Sequence, residues 1–347
     1  MAKVIRLMFG ALGNATRPAL PIFEANKETY LNKYGIEFKI VAVCDSKGAV
    51  IKPDMDFMEV EKYKAEYGTV SKVPQYGHPG MTAQEMIRTV DADIYIEALP
   101  PNLPTGEPGT TNIITALERG MNVVTANKAP LALHWKETVW KARELGLEFM
   151  YGTAASAGLN SLQLEKYLGE CDDIVSFDGI FNASCMGVFK EMKEGKTFDE
   201  AVDFAKKLGT LDPNPDSDLD GWDPAMKCVI HANNIWDAGV TLDQVERTGI
   251  KHITKEMIDE ATAAGDNWCI VSHADKDETG KINMWVAPKR YPKDSPIGRN
   301  TWNDKVIMIK SKCQEDQLLY GMNNAATCTP GNVVLDVVNM AKKLISK

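Results

Sequence analysis

The run "VIRLMFGALGN", residues 4–14, is a β-branched and apolar segment that stops on glycine and gives way to a helical pattern from about Arg17. Strand, glycine turn and helix in that order open a nucleotide-binding unit, provided a second strand follows. "FKIVAVCD" (residues 38–45) supplies it and ends on Asp45, about thirty residues further on, where roughly 20 is usual and an extra turn absorbs the difference. In such a unit the glycines let the backbone approach a pyrophosphate at the helix N-terminus, and the acid ending the second strand binds the adenosine ribose. The candidate cofactor residues are therefore Gly10, Gly13, Asn14 and Ala15 in the turn, with Asp45 beyond them. An ordinary strand-to-helix turn fits the same residues, because the glycine spacing is incomplete.

The rhythm continues downstream. "ADIYIEAL" (92–99), "NVVTAN" (122–127) and "LEFMYGTA" (147–154) are buried-strand patterns separated by helical stretches around 111–119 and 134–145. This alternation predicts an α/β fold, a parallel sheet covered by helices, with ligands beyond the carboxyl ends of the strands. Leu99-Pro100, Thr125-Ala126-Asn127-Lys128 and Ser156-Ala157-Gly158 fall at those ends and are expected to face one crevice.

After about residue 152 the pattern becomes α+β. "SFDGIFNASCMGVFKEM" (176–192) reads as a strand leading into a helix, "FDEAVDFAKKLG" (198–209) as a helix closed by Gly209, and "VIMIKSK" (306–312) as a strand. The Pro-rich, charged stretch 287–296 reads as a surface loop between strands, and a last helix from about Gly331 to Ile345 is expected to pack back on an earlier lobe. The expected division is 1–151, 152–320 and 321–347.

Composition narrows the function classes. Hydrophobic residues at 44% and charged residues at 25% are those of a globular chain, and no apolar run reaches the roughly 18 residues of a membrane helix. A net charge of −9 argues against nucleic acid or anionic lipid as partners and leaves small molecules or proteins. Seven cysteines with no CxxC pair read as reduced thiols in a cytoplasmic protein, and the five histidines show no metal-ligand spacing.

"DPNPDSDLDGWDPAMK" (212–227) concentrates aspartates before a single lysine. Asp223-Pro224 reads as the N-cap and first residue of the helix "PAMKCVIHANNIWDA" (224–238), which puts Asp223 and Lys227 near one helix end. A helix cap, a solvated lysine and a polar loop with Asx turns would account for the same residues.

Together with "EALPPNLPTGEPG" (97–109), "TANKAPLAL" (125–133), "GIFNASCMGVFKEM" (179–192) and "LDQVERTGIKHIT" (242–254), this segment resembles the homoserine dehydrogenase family in order and spacing over nearly the whole chain. The resemblance implies an N-terminal Rossmann-like domain and a C-terminal α+β domain for substrate binding and dimerisation. It also implies an NADP- or NAD-dependent interconversion of L-aspartate 4-semialdehyde and L-homoserine by a homodimer. Hydride delivery to a carbonyl leaves an alkoxide that needs a proton and stabilisation, and a lysine suits both tasks. By resemblance Lys227 is the proton shuttle, Asp223 and Asp212 bind the polar end of the substrate, and Lys128 is a second cation near the reacting oxygen. Gly158, Asn182 and Ser184 join the substrate side; Lys47, Leu99, Pro100 and Lys128 join the cofactor side. Asp45 favours the free ribose hydroxyl of NAD, while Lys47 suits the extra phosphate of NADP. No metal site made of side chains is expected, although family members hold a monovalent cation on backbone carbonyls of the loop matching 152–158.

The departures fall around the site. Asp212 stands for a usual glutamate, Asn182-Ala183-Ser184 for Asn-Gly-Thr, Ala11 and Thr16 for the first and third glycines, Asn160 for a proline, and Leu99 and Pro101 for threonines flanking Pro100. They leave open a paralogous dehydrogenase for another small hydroxy or amino carbonyl compound; a nucleotide sensor without activity is the third reading.

Overall fold

The computed structural model describes residues 2–211, 215–300, 304–322 and 326–346. It divides the chain into two units, the first running to Gly158 and resuming at Ala326, the second being Leu159–Ala325.

The first unit contains β1 (Lys3–Phe9), α1 (Ala19–Tyr34), β2 (Ile36–Asp45), β3 (Gly48–Met55), α2 (Phe57–Tyr67), β4 (Gly77–Pro79) and α3 (Ala83–Thr89). It continues with β5 (Ile94–Glu97), α4 (Gly109–Glu118), β6 (Asn122–Thr125), α5 (Lys128–Leu133), α6 (Lys141–Glu144), β7 (Phe149–Met150) and α7 (Gly152–Ser156), and is completed by the C-terminal helix Cys328–Ser346. The strand order is β4-β3-β2-β1-β5-β6-β7. The strands β2, β1, β5, β6 and β7 are parallel, as the alternation predicts. The antiparallel β3 and β4 extend this sheet beyond β2. Pro53 inside β3 disguises that strand in the sequence, because proline removes a ladder donor and is confined to edges and irregular positions.

Alternation along β1 sorts the two layers. Ile5, Leu7 and Phe9 face α1 and the C-terminal helix, packing with Leu20, Phe23 and Val337, whereas Met8 faces Met86, Ile113 and Leu117 of α3 and α4. Helices on both faces are what a parallel sheet requires.

Both expected boundaries move. The short helix α7 belongs to the first unit because Asp336 of the C-terminal helix accepts from Thr153 N at 3.0 Å and Thr153 Oγ1 at 2.9 Å. Gly321, expected in the C-terminal segment, belongs to the second unit because it ends a strand paired with 305–309.

The second unit contains α8 (Ser161–Gly169), β8 (Ile174–Ile180), α9 (Ala183–Lys193), α10 (Phe198–Lys207), α11 (Asp216–Leu219), α12 (Trp222–Trp236), β9 (Val245–Arg247) and α13 (Lys255–Ala263). Then come β10 (Asp266–Lys276), β11 (Ile282–Pro292), β12 (Lys305–Ser311) and β13 (Gln317–Gly321). Its mixed sheet runs β13-β12-β8-β10-β11-β9. The stretch 287–296, expected as a loop, is strand as far as Pro292. Beyond Val286 the β11 strand has no β9 partner, so Pro288 and Pro292 sit where a missing donor is tolerated.

Register shows how the two faces of this sheet differ. The cross-strand row Ile307, Gly179, Ser272, Val286 is buried, and Ser272 Oγ donates to Pro224 O of α12 at 3.2 Å. The next row, Met308, Asp178, His273, Trp285, points the other way and is half-exposed.

Candidate active site

In the second unit the structure gathers Asn182, Asp218, Asp223 and Lys227. Lys227 Nζ donates to Asp223 Oδ2 at 2.6 Å, one helical turn away, and to Phe181 O at 2.7 Å. Both side chains are 14% exposed, dry enough for the pair to be held and open enough to meet a ligand. Asn182 ends the β8 connection as the N-cap of α9, its Oδ1 accepting from Cys185 N at 2.8 Å. That leaves its Nδ2 to donate to Asp218 Oδ1 at 2.6 Å and Asp223 Oδ2 at 3.0 Å. A single amide therefore separates and ties two carboxylates that would otherwise repel. Burial, reinforced by Asp218 and Asp223, pushes the Cys185 thiol up, so this thiol is a neutral packing group.

The start of the helix in this segment differs from the expected one. Helix α12 begins at Trp222 with Gly221 as its N-cap, so Asp223 lies in the first turn and does not cap. Its charge still suits the positive helix end. The described aspartates divide between two settings: Asp218 and Asp223 meet Asn182, whereas Asp216 and Asp220 both receive Lys251 Nζ, at 2.7 and 3.0 Å, on the surface. Ser184 turns its hydroxyl away, donating to Thr210 O at 2.8 Å. Asp212, a candidate for binding the polar end of the substrate, lies outside the described residues.

The first unit holds the cofactor candidates. The turn after β1 leaves Gly13 and Asn14 exposed and Ala15 half-buried. A Cβ on Gly13 would meet nothing within 4 Å, so the turn offers an open surface before α1. Thr16, at the third glycine position, is buried and closes the turn from inside: its Oγ1 donates to Ala11 O at 2.7 Å and accepts from Gly13 N at 3.2 Å. At Gly10 glycine is required by close approach, because a Cβ there would lie 2.1 Å from the Tyr95 hydroxyl.

Asp45, the expected ribose ligand, is turned inward in this structure. Its carboxylate accepts from Lys47 N at 2.9 Å, Thr69 Oγ1 at 2.9 Å, Lys64 Nζ at 2.7 Å and Val70 N at 3.0 Å, and its side chain is 2% exposed. Burial opposes its charge, but Lys64 and the other donors outweigh burial and hold it below the usual carboxylate range. The acceptor positions are spent inside the unit, while Lys47 is exposed on the β2–β3 turn.

The ends of β5 and β6 meet at Glu97, which sequence reading passed over as one more strand residue. Fully buried, it accepts from Tyr95 Oη at 2.8 Å, Leu99 N at 2.7 Å and Asn112 Nδ2 at 3.3 Å. Burial pushes its carboxyl up, against hydrogen bonds from Leu99, Tyr95, Asn112 and Asn127. Leu99, half-buried beside exposed Pro100, and Asn127, the N-cap of α5, are thus fixed to one group, and half-buried Lys128 follows as the first residue of α5. Gly158 has φ +86°, and a Cβ there would come within 2.9 Å of Cys328 Sγ. Among the described residues no group of three or more His, Cys, Asp or Glu side chains is placed to hold a metal, and no helix is long and apolar enough to cross a membrane.

Known proteins resemble this chain over nearly its whole length. A homoserine dehydrogenase family model matches residues 162–338. Homoserine dehydrogenase of Methanocaldococcus jannaschii is 32% identical over 97% of this chain and 98% of its own length. The NAD(+)-dependent homoserine dehydrogenase of Pseudomonas canavaninivorans is 28% identical over 99% of this chain and 97% of its own. The fold is that of a hyperthermophilic archaeal homoserine dehydrogenase solved with NADPH, at TM-score 0.83 and 22% identity, with 98% of each chain covered. With a family model over half its residues and a relative matched end to end, the chain belongs to the homoserine dehydrogenases, oxidoreductases that act on a hydroxyl group with NAD(P).

Proposed function

We propose that the chain interconverts L-homoserine and L-aspartate 4-semialdehyde, with Lys227 moving the proton at the reacting oxygen. The observation that carries this reading is the tethering of Lys227 Nζ by Asp223 Oδ2 and Phe181 O, at 2.6 and 2.7 Å. An ammonium has three N–H groups, so two fix its position and the third serves a ligand oxygen. A bound nicotinamide supplies or accepts the hydride. In the direction of reduction the Lys227 ammonium donates the proton that converts the developing alkoxide to alcohol and is left as a neutral amine beside the Asp223 carboxylate. In oxidation Lys227 starts as the neutral amine and removes the hydroxyl proton, becoming the ammonium. Asp223 and Asp212 hold the substrate's polar end, with Asn182 setting the orientation of Asp223, and Lys128 is the second cation toward the oxygen.

The exposed Gly13–Asn14 turn fits a pyrophosphate, and Leu99, Pro100 and Lys128 fit the nicotinamide end. Because Asp45 is turned inward and paired with Lys64, it does not repel a ribose 2′-phosphate, and exposed Lys47 attracts one. NADP is therefore accepted alongside NAD. A monovalent cation would rest on backbone carbonyls of 152–158 alone, since Asp336 is committed to Thr153.

The homodimer would form through the half-exposed sheet face carrying Met308, His273 and Trp285, and Trp285→Lys should shift sedimentation toward monomer. Seven free cysteines favour a cytoplasmic setting. The decisive assay follows nicotinamide absorbance with homoserine and NAD⁺ or NADP⁺. Lys227→Ala should lower kcat by about 10²-fold or more, as loss of an acid–base group does, with cofactor affinity retained; wild-type turnover in this variant would refute the role.

A further inference from the structure

On the side of α9 away from its capped end, the second unit holds a cavity of about 320 Å³ between α9, α13, the start of β10 and the segment after β11. Its walls are apolar, from Phe189 and Ile258, both buried, and Trp268. One polar side chain inside is unexplained. Asn300 is 5% exposed, and neither its Nδ2 nor its Oδ1 has a hydrogen-bond partner among the described residues. Buried amides are almost always paired, so an orphaned donor and acceptor lining a cavity call for a ligand that supplies both partners.

The charges around the cavity specify the ligand further. Lys293 and Arg299 line it, are exposed, and pair with no carboxylate among the described residues. The carboxylate on its wall, Asp266, is already held by Arg290 Nη2 at 3.2 Å. The lining carries four cations, Lys190, Lys193, Lys293 and Arg299, against the one carboxylate of Asp266, and the cavity's size lies at the small end of ligand pockets, roughly 300–1,000 Å³.

We propose that this cavity is a second binding site, for a small carboxylate with an apolar body, separate from the Lys227 cluster. The carboxylate meets Arg299 and Lys293, the body packs on Phe189 and Trp268, and the Asn300 carboxamide pairs with polar atoms of the ligand. Because Met186 and Phe189 of the cavity wall lie on the helix whose N-cap is Asn182, the occupant also bears on the residue that orients Asp223.

Titration calorimetry on the full chain with phenylpropionate, phenylpropylamine and propionate tests charge and apolar body separately. Phenylpropionate should bind about tenfold or more tightly than either of the others, since both a charge-assisted contact and ring burial are at stake. Arg299→Glu with Lys293→Glu should abolish the preference, and both substitutions are on exposed residues. Asn300→Leu should weaken binding while leaving Tm unchanged or higher, because it removes two unpaired buried atoms. The site would be overturned by equal binding of the amine, by phenylpropionate binding that survives both variants, or by no binding together with a Tm loss in Asn300→Leu, which would make Asn300 a structural residue. A change in homoserine turnover with phenylpropionate, absent in Asn300→Leu, is expected from the α9 connection; binding with turnover unchanged would overturn that connection.

Discussion

Replacing Asn182 by alanine tests whether the second-unit cluster is organised from its amide. The change removes the N-cap acceptor for Cys185 N and both donors to Asp218 and Asp223, on a side chain 2% exposed. The cap contributes about 1 kcal/mol. Each bond to a carboxylate contributes about 1.5 kcal/mol, at the lower end of the range for charged partners because Asp223 is partly open to water. A loss of about 4 kcal/mol in the stability of the second unit follows, read as a fall in its urea midpoint. On turnover the relevant share is the Asp223 bond, whose loss lets the carboxylate and Lys227 drift together, so kcat/KM should fall about 10-fold. Adding Asp218→Asn to Asn182→Ala should recover part of the stability, because the two carboxylates then no longer face each other unscreened, and a double-mutant cycle measures that coupling. If Asn182→Ala is destabilised but keeps wild-type kcat/KM, the amide is only a cap and the position of Asp223 does not depend on it.

Two further outcomes separate packing from function. Gly10→Ala drives a Cβ against the buried Tyr95, whose hydroxyl is fixed on Glu97, and should cost about 1–3 kcal/mol as overpacking does; Gly13→Ala meets open space and should leave stability alone while weakening NAD(P) binding in a fluorescence titration. His273 lies between Asp178 at 2.9 Å and Asp275 at 3.1 Å, and although burial disfavours its charge, these carboxylates raise its pKa above the ordinary 6.5. A raised folded-state pKa stabilises below the unfolded value and that stabilisation is lost as pH rises through the folded one, so the Tm deficit of His273→Gln should be largest below pH 6.5 and shrink in alkaline buffer; a deficit independent of pH would show that His273 acts by packing on Trp285 alone.

The sequence was legible where local pattern and tertiary role coincide. Strands β1, β2, β5 and β6 are continuous apolar runs because both faces of a parallel sheet are covered, and α12 announces itself through a glycine, a proline and fifteen residues of helix period. It was opaque wherever a side chain's partner comes from elsewhere in the chain. Asp45 ends its strand as a ribose-binding acid would, and only the folded chain reveals Lys64 and Val70, 19 and 25 residues on, drawing it inward. Asp218 looks no different from Asp216 or Asp220, yet it alone of these three receives Asn182, 36 residues earlier, while its neighbours serve Lys251. The capping error at Asp223 has a local cause: Asp-Pro is a good N-cap pair, but Gly221 at φ +79° starts the helix two residues sooner.

The two units solve the same problem in the same way. In each, one buried polar side chain gathers groups from several elements: Glu97 takes Tyr95 of its own strand, the backbone after it, Asn112 of α4 and Asn127 before α5, while Asn182 takes α9, α11 and α12. Loops that carried their ligand-facing residues on turn propensity alone would fluctuate independently. Tied to one group in a low-dielectric interior, they are fixed together, because each partner lost leaves a buried charge or amide short of a hydrogen bond and no water to replace it. The choice of hub also differs sensibly. Glu97 gathers donors, two amides, a phenol and a backbone N–H, and needs acceptor oxygens. Asn182 joins two carboxylates to a helix end, and only an amide offers both an acceptor for the helix N–H and two donors for the acids. An aspartate there would cap α9 equally well and set three negative charges against one another. What distinguishes asparagine from aspartate at this position is therefore not the helix but the Asp223–Lys227 pair, which makes Asn182 the residue through which the fold of the second unit is connected to the proposed chemistry at Lys227.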